Sequence, residues 1–238
     1  MMFGRHDYPG RFERDGVSFC IEKEGALYRY RRGCGDHEKE RLLSLAETEL
    51  YVHPVEPVNL PREVTRFFEI TFPSITISPD SNVTIYLTFP LEIGVILKRN
   101  TEYQLLDVFS KALPKYSLYG IPESGVITRY WESPVFDTLR VSDTGETGIL
   151  QLHIRNSSKR WIDVARAVFD VAYMPIYFGP FISAAAEMIL FSRDIAETRM
   201  LNTPLADDMQ AAIQVITQTR LRMIAAERGG FFMEHGVE

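Results

Sequence analysis

Phe68-Glu-Ile-Thr-Phe-Pro-Ser-Ile-Thr-Ile77 and, after a short break, Val83-Thr-Ile-Tyr-Leu-Thr-Phe-Pro-Leu-Glu-Ile-Gly-Val-Ile-Leu97 decide the fold. Apolar residues take every second position: Phe68, Ile70 and Phe72, then Ile75 and Ile77, then Val83, Ile85, Leu87 and Phe89, then Leu91, Ile93, Val95 and Leu97. Successive strand side chains point to opposite faces, so this period marks strands with one buried face. Between the runs, Ser78-Pro-Asp-Ser-Asn82 holds residues that preset φ or bond their own backbone, which makes a turn. Pro73 and Pro90 mark strand ends or bulges.

Upstream, Val17, Phe19 and Ile21 alternate with polar neighbours, and Ala26, Tyr28 and Tyr30 do the same after Glu24-Gly25, a β-hairpin pattern. Gly33 to Glu40 shows glycine and charge without periodicity and is expected as a mobile loop; residues 41 to 48 are expected as a short helical turn. His53-Pro-Val-Glu-Pro-Val-Asn-Leu-Pro61 carries three prolines, which favour an extended crossing between sheets over a central strand. Downstream, strands fit Tyr103 to Phe109, Val126 to Trp131, Ile149 to Arg155, Met174 to Phe178, Ser183 to Phe191 and Ile195 to Leu201. Trp161 to Val171 fits a strand with a slip near Ala165, as a bulge would give, and also a helix through Trp161, Val164, Val168 and Val171; its flanking strands favour the first.

Thr203-Pro204 reads as an N-cap with proline in the first turn, followed by Asp207 and Asp208. Met209, Ala212, Ile213, Ile216, Met223 and Ile224 then recur at helical steps up to Gly229-Gly230. The expected architecture is mainly β: an antiparallel β-sandwich, jelly-roll or Greek-key-like, as one domain over residues 1–202. A C-terminal amphipathic α-helix over 203–228 packs on or beside it, and 229–238 form a flexible tail.

At 238 residues, 45% of them apolar and 24% charged, the chain has the composition of a globular protein, and its net charge of −6 offers no broad footprint for a nucleic-acid backbone. No run approaches a membrane-spanning helix and the amino terminus has no apolar signal core, so the expectation is a soluble cytoplasmic protein without membrane insertion. Cys20 and Cys34 form no CxxC pair and are expected as free thiols. Asn82-Val-Thr84 and Asn156-Ser-Ser158 match the glycosylation pattern but come without a secretory address.

The five histidines, His6, His37, His53, His153 and His235, lie in separate segments without metal-ligand spacing, and no metal or cofactor is expected. GxSxG, Walker, GxGxxG and HExxH motifs are all missing. The densest polar and aromatic constellation runs from Lys115 to Glu132. There Gly120 and Gly125 flank Glu123-Ser124, Lys115 and Arg129 are placed to hold an anion, and Tyr119 and Trp131 to stack on it. Lys115, Tyr119, Glu123, Ser124, Arg129 and Trp131 are therefore the candidate ligand-binding residues, with Glu123 as the acid–base group and Arg129 as the anchor if the site is catalytic. Glu187, Glu197 and Arg199 read as a solvated charged face. In Tyr28-Arg-Tyr-Arg-Arg32, strand alternation would place tyrosines and arginines on opposite faces and so spoil a single-strand-binding groove.

Pro54-Val-Glu-Pro-Val-Asn-Leu-Pro61, Leu87 to Val95, Asp107-Val-Phe-Ser110, Lys115 to Gly120, Pro122 to Val126 and Ala196-Glu-Thr-Arg199 together resemble an uncharacterised archaeal family, domain of unknown function four hundred and thirty-two. The resemblance spans nearly the whole chain and implies an archaeal, cytosolic protein with no assigned catalytic residues. The leading expectation is a non-catalytic binding or regulatory module that docks a protein partner or itself. The alternatives are an enzyme for a small anionic or sugar-like substrate, and a structural subunit of an archaeal assembly using Phe231 and Phe232.

Overall fold

The computed structural model describes residues 3–14, 16–34, 37–61, 64–141, 146–215 and 230–236. After β1 (Gly4–His6), an antiparallel meander follows: β2 (Gly10–Arg14), β3 (Val17–Glu24), β4 (Leu27–Cys34) and β5 (His37–Leu43). β6 (Glu49–Val55) pairs with β1 and opens a second sheet. The proline-rich segment then crosses to β7 (Phe67–Ile77) and β8 (Ser81–Pro90), which belong to two further sheets. Leu91 alone leads back to β9 (Glu92–Arg99) and β10 (Glu102–Phe109), completing the second sheet in the order β1-β6-β9-β10.

A third crossing enters β11 (Lys115–Tyr119) and β12 (Val126–Glu132). β13 (Thr147–Asn156), β14 (Ile162–Asp170), β15 (Tyr177–Phe178), β16 (Ile182–Leu190), β17 (Ala196–Leu201), β18 (Gln210–Ala211) and β19 (Phe231–Met233) follow. The third sheet runs β11-β12-β7-β14. The fourth runs β18-β15-β16-β13-β8, with β17 added to β16 and β19 to β17. Pairing is antiparallel except for β12 with β7 and β13 with β16.

Two cores result. Val17, Phe19, Ile21 and Tyr30 of the meander pack against Leu50, Val52, Ile93, Val95 and Leu97 of the second sheet. Phe68, Ile70 and Ile77 pack with Ile85, Leu87, Phe89, Leu150, Leu152 and Ile154 between the third and fourth sheets. Each such side chain contributes roughly 1.5–3 kcal/mol of apolar burial. Gly148 faces Phe89 across β8 and β13, and a Cβ on Gly148 would stand 2.2 Å from the Phe89 ring. Gly148→Ala is expected to cost about 1–3 kcal/mol by overpacking. An unchanged urea midpoint would show that the ring can give way.

The period-two runs and the hairpin form as their patterns predict; of the proline-rich stretch, residues 56–61 cross between sheets, whereas His53-Pro-Val55 ends strand β6 and pairs with Glu92 to Gly94 of β9. Trp161 to Val171 contributes strand β14, whose register shifts between Val164 and Arg166, the expected slip. Tyr30 is buried while Arg29 and Arg31 lie outside with Glu24, Glu22 and Glu40. Asn156 is fully buried with its amide donating to the carbonyls of Ile77, Ser78 and Arg160, so it is no glycosylation acceptor.

Three expectations are corrected. His37–Leu43 is a strand rather than loop and helical turn: it is an edge strand whose ladder is lined by Arg29, Arg31 and Glu40, charged residues that hide the apolar alternation. The helix expected over 203–228 does not form over its described part. The amides of Ala212, Ile213 and Val215 go instead to the Ile176 carbonyl, His53 Nδ1 and Glu56, which precludes an i→i−4 ladder there. The remainder, 216–229, lies outside the described residues. In the expected tail, Phe231–Met233 pairs with Ala196–Thr198 and Met233 is fully buried. Among the described residues no helix is long and apolar enough to cross a membrane.

Candidate functional site

The three crossings pass close to one another at the seam between the sandwiches, and each supplies polar groups. Glu56 and Asn59 come from the first, Glu92 from the start of β9 after the second, and Tyr116 from β11 after the third. Arg129 on β12 completes the group. Strand alternation, with Arg129 opposite Phe68 in the parallel β12–β7 pair, turns its side chain to the inner face of the third sheet.

Arg129 is wholly buried. Its Nη1 donates to the Lys115 carbonyl at 3.3 Å, and the Tyr116 ring lies 5.9 Å from the guanidinium carbon. Nε and Nη2 have no hydrogen-bond partner. Glu92 is equally buried: Oε2 accepts the Asn59 amide at 2.8 Å, and Oε1 has no partner. Each group feels the other's charge, yet among the described residues they form no ion pair. Burial raises the Glu92 carboxyl to about 8 and outweighs the Asn59 amide and Arg129, which favour its ionised form. Burial lowers the Arg129 value against the pull of Glu92. Glu56, also buried, accepts the Val215 amide at 3.2 Å, and Asn59 Nδ2 donates to the Glu56 carbonyl at 2.8 Å. Tyr116 is half-exposed, and its hydroxyl donates to the Leu60 carbonyl at 2.6 Å.

The residues singled out in the sequence are divided by the sheet. Arg129 and Trp131 point to the inner face; Trp131 Nε1 donates to Thr88 Oγ1 at 3.1 Å, a packing role between β12 and β8. Lys115 and Tyr119 lie on the opposite face, where the Tyr119 hydroxyl bonds the backbone of His235 and its ring packs on Phe231. Glu123 and Ser124 sit exposed in the turn between β11 and β12, closed by the Ser124 and Gly125 amides donating to the Ile121 carbonyl. Only Arg129 of the six therefore belongs to the buried centre. Glu92, Glu56, Asn59 and Tyr116 were missed, although Glu92 carries a legible signal. Its alternate positions are Gly94 and Ile96, so the face it shares is not a solvent face.

Elsewhere, His53 is buried and held neutral, its value lowered to about 4 by burial and by His6, while Nδ1 accepts the Ile213 amide. Arg199 pairs with Glu187 on an exposed face. The described residues include no group of three side chains able to hold a metal ion, and Cys20 is a free thiol. An open cleft of about 480 Å³ beside β17 is lined by Asp170, Glu197, Arg199 and Phe231. Phe231 packs against Phe67 and Tyr119 of its own chain, and Phe232 is exposed.

No curated protein and no solved structure matches the chain. The family described as "Protein of unknown function (DUF432)" matches residues 2–234, nearly the whole length, and the chain belongs to that family.

Proposed function

We propose that the chain is a non-catalytic β-sandwich binding module of the cytoplasm that takes a small polar ligand at the seam, around Arg129 and Glu92. The observation that carries this reading is the set of unpartnered atoms: Nε and Nη2 of Arg129 and Oε1 of Glu92, on two wholly buried side chains of opposite kind. Buried polar atoms are nearly always hydrogen-bonded, and a buried charge without a partner costs several kcal/mol. A fold that keeps such a pair apart at the junction of two packed units has the properties of a site awaiting a ligand. Glu123, the acid–base candidate of the enzymatic alternative, stands in solvent away from this centre.

Arg129→Met separates a binding role from a structural one. A residue that holds the fold together would destabilise it on removal. A ligand-binding arginine buried at a cost should leave the ligand-free protein unchanged or stabler by about 1–4 kcal/mol, as when buried charges are replaced by apolar side chains of similar volume. The expected result is a retained or raised melting temperature, together with loss of any small molecule that native mass spectrometry finds on the gently purified wild type. A clear loss of stability in Arg129→Met would overturn the binding role.

A further inference from the structure

Resting on that reading, we infer that the ligand class is a small carboxylate, gripped side-on by Nε and Nη2 of Arg129 and receiving a hydrogen bond from the protonated Glu92 carboxyl through Oε1. The two unpartnered nitrogens lie along one edge of the guanidinium, since Nη1 is the nitrogen already spent on the Lys115 carbonyl. That edge presents two parallel N–H donors at the spacing of two carboxylate oxygens, the bidentate geometry in which arginine recognises planar anions.

Charge selects the same class. Arg129 stays cationic in proteins and makes no ion pair among the described residues, so a cation would be repelled and a neutral ligand would leave the charge unmatched. One negative charge balances it; the second charge of a phosphate would have to be buried as well. Glu92 fits the anion only as a neutral acid, because an ionised carboxylate accepts and does not donate. The groups that set its protonation are Arg129 and the Asn59 and Leu60 amides, which favour the ionised form, and Glu56, which disfavours it. Burial exceeds them and keeps the proton on below about pH 8.

Tyr116 is the way in. It is the half-exposed side chain over the guanidinium, it stands on an edge strand, and it is latched by one hydrogen bond to the Leu60 carbonyl.

The test is isothermal titration of the full-length chain with acetate, propionate and benzoate, beside inorganic phosphate, magnesium and glucose. Expected is carboxylate binding that is level from pH 6 to 7.5 and weakens above pH 8, approaching tenfold per pH unit. Glu92→Gln, whose amide donates at every pH, should bind with an affinity that no longer falls above pH 8. Arg129→Lys, which cannot present two parallel donors, should weaken it at least tenfold. Tyr116→Ala should speed binding without abolishing it. Phosphate, magnesium or glucose binding that depends on Arg129 would overturn the carboxylate class and leave the binding module standing. Folded protein that binds none of the probes would overturn both, the orphaned atoms then being served by buried water alone.

Discussion

Asp107→Ala should lower the unfolding free energy by about 3–5 kcal/mol, the range seen when one partner of a buried charge cluster is removed. Asp107 is wholly buried on β10 beside the register shift that follows Leu105. Its carboxylate accepts from the Tyr30 hydroxyl at 3.0 Å, from Arg32 Nε at 2.8 Å and from Lys39 Nζ, all on the meander facing it. It is thus a polar tie between the first and second sheets, beside their shared apolar core. Burial alone would raise its pKa, but the hydrogen bonds from Arg32 and Lys39 prevail and hold it below the ordinary 3.8. A carboxyl lowered on folding contributes stability that is present above its unfolded value and lost as pH falls through the folded one. The gap between wild type and Asp107→Asn should therefore be full at pH 7 and shrink below about pH 3.8. Urea titrations across that range read it directly, and coincident curves at pH 7 would remove Asp107 from this role.

Glu92→Gln should act in the opposite direction and at the opposite end of the pH scale. A carboxyl raised from 4.5 to about 8 holds its proton more tightly in the folded chain, so its contribution to stability is fully present below pH 4.5 and is lost as pH climbs towards 8. Glutamine carries no such penalty. The variant's advantage should be absent near pH 4 and grow to something on the order of 4 kcal/mol by pH 8. Melting curves at pH 5, 7 and 9 would show the two proteins diverging. Parallel curves would mean that Glu92 meets solvent or a partner in the folded state and is not the buried acid described above.

Strand positions in this chain were readable because one face of each strand is apolar and the period is two; even the bulge near Ala165 showed as a phase slip. β5 was not readable, since its neighbours across the ladder are charges, and an edge strand needs no apolar face. The helical spacing of Met209, Ala212 and Ile213 misled because periodicity records which residues want burial and not where their amides find acceptors. Here His53, Glu56 and Ile176, far away in sequence, supply those acceptors. The site was legible only through Arg129. Lys115 and Tyr119 are its neighbours along the chain, yet the sheet puts them on the other face. Glu92 and Asn59 are distant along the chain and reach the centre only through crossings that no local pattern encodes.

Those crossings also govern how the chain can be made. After β6 the chain leaves the first sandwich before the neighbouring strand β9 exists, and β9 arrives only after β7 and β8 have been laid down for the second. During synthesis the amino-terminal strands must therefore wait, with an unpaired edge and a half-built core, until β9 and β10 emerge. No single cut yields two self-sufficient pieces: a fragment ending near residue 60 keeps the meander but lacks the centre of its opposing sheet, and one beginning there carries a β9–β10 hairpin with nothing to cover it. Interleaved in this way, each sandwich is completed only by strands that the chain makes after it has begun the other.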